Sequence, residues 1–195
     1  MVTIGVLALQ GDFAEHEAIL ERLGAGVREV RLPADLDGLD GLIIPGGEST
    51  TITRLMAMYG LLEPIRAFAS LHPVWGTCAG MIVMAKEATD LDREGLRLMD
   101  IAVERNAFGR QVDSFETDLD IAGIEGAAVK AIFIRAPLIQ SVGPQVQVLA
   151  QLEDGRIVAA KQGHLMVTSF HPELTDDIRL HKYFLAMAEG ASAVK

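Results

Sequence analysis

Val74-Trp75-Gly76-Thr77-Cys78-Ala79-Gly80-Met81 holds the only cysteine of a 195-residue chain. Apolar residues run into Gly76, the pattern Gly-x-Cys-x-Gly follows, and Met81-Ile82-Val83-Met84-Ala85-Lys86 has the composition of a helix start. Strand, sharp turn and helix in that order make a nucleophile elbow, with sulfur in place of a serine oxygen. Glycines at 76 and 80 permit a strained backbone and a close approach of strand to helix, where a Cβ would clash. Cys78 would then stand at a helix N-terminus, where unpaired N–H groups and the helix dipole favour thiolate over thiol. Most lone cysteines are buried structural residues; here the flanking glycines weigh toward a nucleophile.

Toward the N-terminus the chain reads as βαβ. Residues 2–9 form a short apolar run ended by Gln10-Gly11-Asp12, which fits a strand buried on both faces. Asp12 can cap a helix over 13–23, which Gly24 ends. A second strand over 27–32 and an acidic loop over 33–40 lead to a third strand over 41–44, so the sheet is parallel. Pro45-Gly46-Gly47-Glu48-Ser49-Thr50-Thr51 follows that strand, and two glycines between strand and helix leave N–H groups free to make an anion nest. Helices are expected over 51–59 and 63–71. Glycine-rich turns after two strands place a site along the carboxyl edge of the sheet.

The second half differs. Strands are expected over 96–103, over 131–137 where Pro137 stops the run, and over 165–170. Residues 146–152 and 156–161 flank Glu153-Asp154-Gly155, a strong hairpin signal, and 176–189 makes a closing helix. The composition is half hydrophobic and 23% charged, which excludes a disordered chain. A net charge of −10 with no basic cluster argues against nucleic acid as partner. One cysteine excludes an internal disulfide and suits a reducing compartment. The start, Met1-Val2-Thr3-Ile4, lacks a basic segment and cleavage site, and no apolar run has the length of a membrane span, so a cytoplasmic protein is the default.

A thiol nucleophile needs a base, and the base an orienting partner. Of the five histidines, His16 and His181 fall in expected helices and His72 and His164 in turns. His171 stands where an apolar strand ends, with Pro172 fixing the turn and Glu173 two residues on, as the third member of a triad would be. Its bland alternative is a surface histidine near a turn. Asp35, Asp37 and Asp40 are spread along a loop as solvated groups, no Cys/His spacing suggests zinc, and Met56, Met58, Met81 and Met84 are core filler.

Gly76-Thr77-Cys78-Ala79-Gly80 together with His171-Pro172-Glu173 resembles the class I, or triad, glutamine amidotransferases. More narrowly, four segments are similar to the glutaminase subunits of pyridoxal 5′-phosphate synthases. They are Ala8-Leu9-Gln10-Gly11, the 45–51 loop, Glu104-Arg105-Asn106-Ala107-Phe108-Gly109-Arg110-Gln111-Val112-Asp113-Ser114-Phe115-Glu116, and Phe133-Ile134-Arg135-Ala136-Pro137. The resemblance runs from residue 1 to about 190, one domain with a tail over 191–195. It implies a flavodoxin-like, three-layer α/β fold whose mostly parallel sheet is flanked by helices, with an antiparallel hairpin in the second half.

For the site, the resemblance implies that Cys78 attacks the side-chain amide of L-glutamine, that His171 moves the protons and that Glu173 orients it. A γ-glutamyl thioester forms and ammonia leaves. Gly47, Glu48, Ser49, Arg105, Ile134 and Arg135 would bind glutamine, and backbone N–H groups of Gly47 and Ala79 would meet the oxyanion. No metal and no cofactor is implied. The partner would be a (β/α)8-barrel pyridoxal 5′-phosphate synthase subunit that receives the ammonia, in a 12 + 12 assembly. Leu9-Gln10-Gly11 and the 46–49 loop would couple the two. Physical chemistry supports part of this: glutamine is a zwitterion, and Arg105 offers a fork for its carboxylate while Glu48 suits its ammonium. Ordinary surface pairing of Arg105 and Arg135, and a first-turn role for Glu48, stand beside those assignments. Two other functions use the same residues. A γ-glutamyl hydrolase would work without a partner, and a non-catalytic module would use Cys78 as a redox sensor.

Overall fold

Short apolar strands alternating with amphipathic helices dictate the central layer. The computed structural model describes residues 1–91, 93–105 and 114–192, residue 192 by its backbone alone. The first half contributes β1 (Thr3–Leu7), α1 (Phe13–Arg22), β2 (Gly26–Val30), β3 (Gly41–Ile44), α2 (Ser49–Met58), α3 (Leu62–Ala69), β4 (Val74–Thr77) and α4 (Ala79–Met84). The second half contributes β5 (Ala85–Ala88), β6 (Met99–Glu104), β7 (Ser114–Leu119), β8 (Val129–Ile134), β9 (Leu138–Val142), β10 (Gln147–Gln151), β11 (Ile157–Gln162), β12 (Leu165–Thr168) and α5 (Arg179–Ser192).

The main sheet runs β2-β1-β3-β4-β12-β11-β9-β6-β5, with β10 paired to β11. From β2 to β12 every pairing is parallel. All residues of β3, β4 and β12 are buried, as strands covered on both faces must be. Side chains alternate between two cores. Leu42, Ile44 and Val74 join residues of α2, α3 and α4 on one face. Ile43, Trp75 and Met166 join Leu20 of α1 and Phe184 of α5 on the other. Three layers result, as expected. Among the described residues no helix is long and apolar enough to cross a membrane.

Several elements differ from the sequence expectation. The helix after the elbow stops at Met84, so Ala85 and Lys86, read as part of its start, are strand instead: the chain turns extended at Ala85 to pair with Met99. Residues 114–119, not expected as a strand, pair with β8 in a separate antiparallel ribbon. The strand expected to run to Pro137 ends at Ile134, and Pro137 lies between β8 and β9. The antiparallel part is larger than one hairpin, since β9, β10 and β11 also join by antiparallel pairing. Pro33–Leu36 is a 3-10 turn within the expected loop, and α5 continues past Gly190 to Ser192.

Candidate active site

The elbow forms because two glycines let it. An ideal Cβ on Gly80 would lie 2.0 Å from the Ile44 carbonyl oxygen, and one on Gly76 would lie 2.6 Å from the Gly80 carbonyl carbon. With both absent, α4 lies directly against β3 and β4, and the chain reverses at Cys78. Its φ of 46° and ψ of −104° are a conformation that a non-glycine residue holds at a cost of roughly 1–3 kcal/mol. The Cys78 N–H donates to the Thr168 carbonyl at 2.8 Å, which fixes the turn to the end of β12. The Sγ is 4.0 Å from the Ile134 carbonyl oxygen.

His171 follows β12 after Ser169 and Phe170, and its N–H donates to the Ile132 carbonyl at 2.8 Å. Its Nδ1 is 2.6 Å from Glu173 Oε1 and 3.5 Å from Asp12 Oδ2, so Nε2 is the ring nitrogen left for the Cys78 thiol, which lines the same cavity. Cys78, His171 and Glu173 are all buried. Burial alone would lower the His171 pKa, but the Cys78 sulfur and the Glu173 carboxylate raise it to about 10. Burial pushes the Glu173 carboxyl up, against the opposing pull of His171. The imidazole is thereby held as a cation between two groups that stabilise its charge. Gly46 makes room for the ring, since a Cβ there would lie 2.5 Å from His171 Cε1.

A cavity of about 410 Å³ opens over the sulfur and brings together Cys78, Ala79, His171, Gly47, Glu48, Ser49, Arg105, Ile134 and Arg135. Glu173 lies behind the imidazole, outside that cavity. Arg105 and Glu48 pair with each other, Nη2 to Oε1 at 3.1 Å, and Arg105 Nη1 also donates to the Asp90 carbonyl. Glu48 caps α2 as well, accepting the Thr51 N–H at 2.8 Å. Burial raises its pKa, but the Thr51 and Thr50 N–H groups and Arg105 outweigh burial and keep it an anion. Arg135 has a φ of 43°, so the chain turns sharply beside the sulfur. Of the 104–116 segment, residues 106–113 lie outside the described residues.

Gln10 Oε1 accepts the Glu48 N–H at 2.7 Å, and Asp12 N–H donates to the Gly46 carbonyl at 3.1 Å. The end of β1 is therefore tied to the 46–49 loop. Asp12 occupies the N-cap position of α1 but makes no side-chain capping bond; its carboxylate turns to His171 instead. Donor atoms of Asp12, His171 and Glu173 lie within 4.8 Å of one another, but the 2.6 Å bond uses the His171 and Glu173 atoms that a metal would need. Sequence reasoning also passed over His16, His181 and Thr77, which pack behind Glu173. Nothing local in the sequence marks them.

The chain is similar to known proteins along nearly its whole length. The model of the SNO glutamine amidotransferase family matches residues 6–190. Pyridoxal 5′-phosphate synthase subunit PdxT of Roseiflexus castenholzii is 54% identical over 189 residues, 95% of this chain and 100% of that protein. The PdxT protein of Deinococcus radiodurans is 57% identical over 193 residues, 96% of this chain and 97% of the relative. A crystal structure of a glutamine amidotransferase, 48% identical, superimposes with a TM-score of 0.90 over 95% of this chain and 98% of the other.

Proposed function

Because the chain belongs to the SNO glutamine amidotransferase family, we propose that it hydrolyses L-glutamine to L-glutamate and ammonia at Cys78, His171 and Glu173, and hands the ammonia to a separate synthase subunit that makes pyridoxal 5′-phosphate. The observation that carries this is one buried line of groups: a thiol on a strained turn, an imidazole lining the same cavity, and a carboxylate 2.6 Å from one ring nitrogen. Thiol, base and orienter in that order are the requirements of nucleophilic acyl transfer.

In this mechanism the proton of the Cys78 thiol already rides on His171 Nε2 when Cys78 Sγ bonds to the side-chain carbonyl carbon of glutamine. Negative charge develops on the carbonyl oxygen, where the backbone N–H groups of Gly47 and Ala79 meet it. Each such donor is typically worth about 3 kcal/mol of barrier. The intermediate collapses, the imidazolium gives its proton to the departing nitrogen, and ammonia leaves a γ-glutamyl thioester. Water then attacks the thioester and gives a proton to His171, the C–S bond breaks, and sulfur leaves beside the imidazolium. Glu173 keeps His171 Nδ1 protonated throughout. The Arg105–Glu48 pair supplies one charge of each sign for the substrate carboxylate and ammonium, and Ser49, Ile134 and Arg135 complete the binding surface.

The relatives are named as subunits of pyridoxal 5′-phosphate synthase, and residues 1–190 make one glutaminase domain with a short tail over 191–195. A (β/α)8-barrel synthase in a 12 + 12 assembly is the partner, and the cytoplasm, where a lone thiol stays reduced, the compartment. The tie between Gln10 and the 46–49 loop is the coupling element. Glutamate release with and without the synthase subunit tests the proposal. The expected result is faster release in the complex and none from Cys78→Ala. Release from Cys78→Ala would end the assignment, and equal rates with and without the synthase would remove the coupling.

A further inference from the structure

Behind Glu173 lies a second set of polar side chains that the thiol chemistry leaves unused. His16 of α1 and His181 of α5 are both fully buried, with His16 Nδ1 2.9 Å from His181 Nε2. His16 Nε2 lies 3.4 Å from Glu173 Oε2 and 3.3 Å from Oγ1 of Thr77, the residue before Cys78. Trp75 packs edge-on against both imidazoles, centroids 5.7 and 5.0 Å away. Its own Nε1–H donates to Thr168 Oγ1 at 3.3 Å. Residues 165 positions apart in the chain thus meet under the oxygen of Glu173 that faces away from His171.

The proton positions follow from elimination. Burial holds both imidazoles neutral, His181 with a pKa lowered to about 4 and His16 lowered by burial and by the neighbouring histidines. Each ring therefore carries one N–H. If His16 donated from Nδ1, its Nε2 lone pair would face the Glu173 carboxylate. His181 would then carry its proton on Nδ1, a buried atom with no hydrogen-bond partner among the described residues. The reverse arrangement satisfies more groups. His181 Nε2–H donates to His16 Nδ1, His16 Nε2–H lies between Thr77 Oγ1 at 3.3 Å and Glu173 Oε2 at 3.4 Å, and the unpartnered His181 Nδ1 is a bare lone pair. An unmade buried donor is the costlier defect, so the chain runs from His181 through His16 to Glu173 and His171.

We propose that His16 is a positioning residue for the glutaminase chemistry: its Nε2–H, fixed in that tautomer by His181, holds the Glu173 carboxylate in place and so keeps His171 turned toward Cys78. The inference rests on the assignment of Cys78, His171 and Glu173 above. Oε2 of Glu173 is buried with no hydrogen-bond partner among the described residues, and His16 Nε2, 3.4 Å away, is the N–H placed to steady it. The titratable groups facing this carboxylate are His171 after β12, Asp12 before α1, and His16 on α1 with His181 behind it.

The test uses the full chain with its synthase partner and compares His16→Ala and His16→Gln, the glutamine amide standing in for Nε2–H. Loss of a hydrogen bond to a charged group predicts a fall in kcat of about 10- to 100-fold for His16→Ala. The KM for glutamine should stay near that of the wild type. The acid limb of kcat/KM should move to higher pH, since Glu173 then holds a proton more readily, and His16→Gln should restore both. A His16→Ala protein that loses thermal stability but keeps its kcat and pH profile would reduce His16 to packing and overturn the proposal. Long-range proton–nitrogen NMR of the wild-type imidazoles reports the tautomers without turnover. His16 protonated on Nδ1 would overturn the network whatever the enzyme does. The expected tautomer in a protein without Cys78-dependent glutamate release would instead overturn the assigned chemistry, and the positioning role with it.

Discussion

Adding a single methyl group at Gly80 and at Gly190 should change stability in opposite directions. At Gly80 the new carbon would sit 2.0 Å from the Ile44 carbonyl oxygen and 2.9 Å from its carbon. Non-bonded carbon atoms settle at about 3.5–4.0 Å, and oxygen only slightly closer, so α4 and the end of β3 must part by more than about 1 Å. Neither can yield easily. Every residue of α4 and of β3 is buried, and the obstacle is backbone, not the tip of a flexible side chain. Overpacking of a tight core costs about 1–3 kcal/mol or more, and a chain of this size loses roughly 2–4 °C of Tm per kcal/mol. Gly80→Ala should therefore melt about 2–12 °C lower.

Gly190 lies exposed in α5 with nothing within 4 Å of the added carbon. Alanine there gains up to about 1 kcal/mol over glycine, and Tm should hold or rise slightly. Calorimetry of both variants gives the stability readout. The rate of Cys78 alkylation by iodoacetamide gives a local one, unambiguous because the chain has one cysteine. Separation of α4 from β3 moves the elbow against the 46–49 loop, so Gly80→Ala should change that rate and Gly190→Ala should not. A Gly80→Ala protein with wild-type Tm and alkylation rate would refute the claim that close backbone packing builds the elbow.

Further expectations concern strain, protonation and substrate binding. Cys78→Gly should abolish glutamate release and yet stabilise the fold by about 1 kcal/mol, because glycine adopts the positive φ without strain; thermal melts beside the activity assay check both. The His181 imidazole, with a pKa of about 4 when folded, titrates near 6.5 once unfolded. The unfolded chain then binds more protons between those values, so stability falls as pH drops through that window, by up to about 3 kcal/mol. Melts from pH 7 to 4 should be flatter for His181→Leu. For His171 the sign is opposite: its pKa is raised to about 10, so its contribution is complete below pH 6.5 and is lost as pH rises through 10. The Tm gap between wild type and His171→Ala should narrow accordingly. Arg105→Lys should raise the KM for glutamine several-fold with kcat retained, since one ammonium cannot face both Glu48 and the Asp90 carbonyl as the guanidinium does.

The parallel half of the fold was legible because burial there is nearly all-or-none. Gly41-Leu42-Ile43-Ile44 has no polar residue, and its strand ends where expected, at Ile44. The elbow was legible for a steric reason that glycine makes local. The β7–β8 ribbon was not, because Ser114, Glu116 and Asp118 point outward and leave only alternate positions to pack. The helix after the elbow was overrun for the opposite reason: Met84 and Ala85 are both buried, so hydrophobicity does not mark where helix gives way to strand. Asp12 suits a helix cap and an imidazole neighbour equally well by residue type. His16 and His181 occupy ordinary helical positions, and only the packing of α1 against α5 over Trp75 gives them a partner.

Register decides whether the sulfur and the imidazole meet at all. β4 and β12 pair with Thr77 opposite Thr168, and the residue after β4, Cys78, closes the ladder by donating to the Thr168 carbonyl. His171 follows three residues beyond that carbonyl, held by its N–H on Ile132. Side chains alternate along a strand, so a slip of one residue between these strands would turn Met166 and Thr168 into the other core. It would also leave Cys78 and His171 out of reach of each other. The slip is opposed from both faces: Leu165 and Val167 belong to one core and Met166 to the other, and reversing them would turn the Thr168 side chain toward the core of Leu165 and Val167. The same alternation that divides the hydrophobic side chains between two layers thus sets the height of a thiol against a base. A pair of polar insertions in β12 that weakened the alternation should separate loss of alkylation control at Cys78 from loss of fold, with the former appearing first.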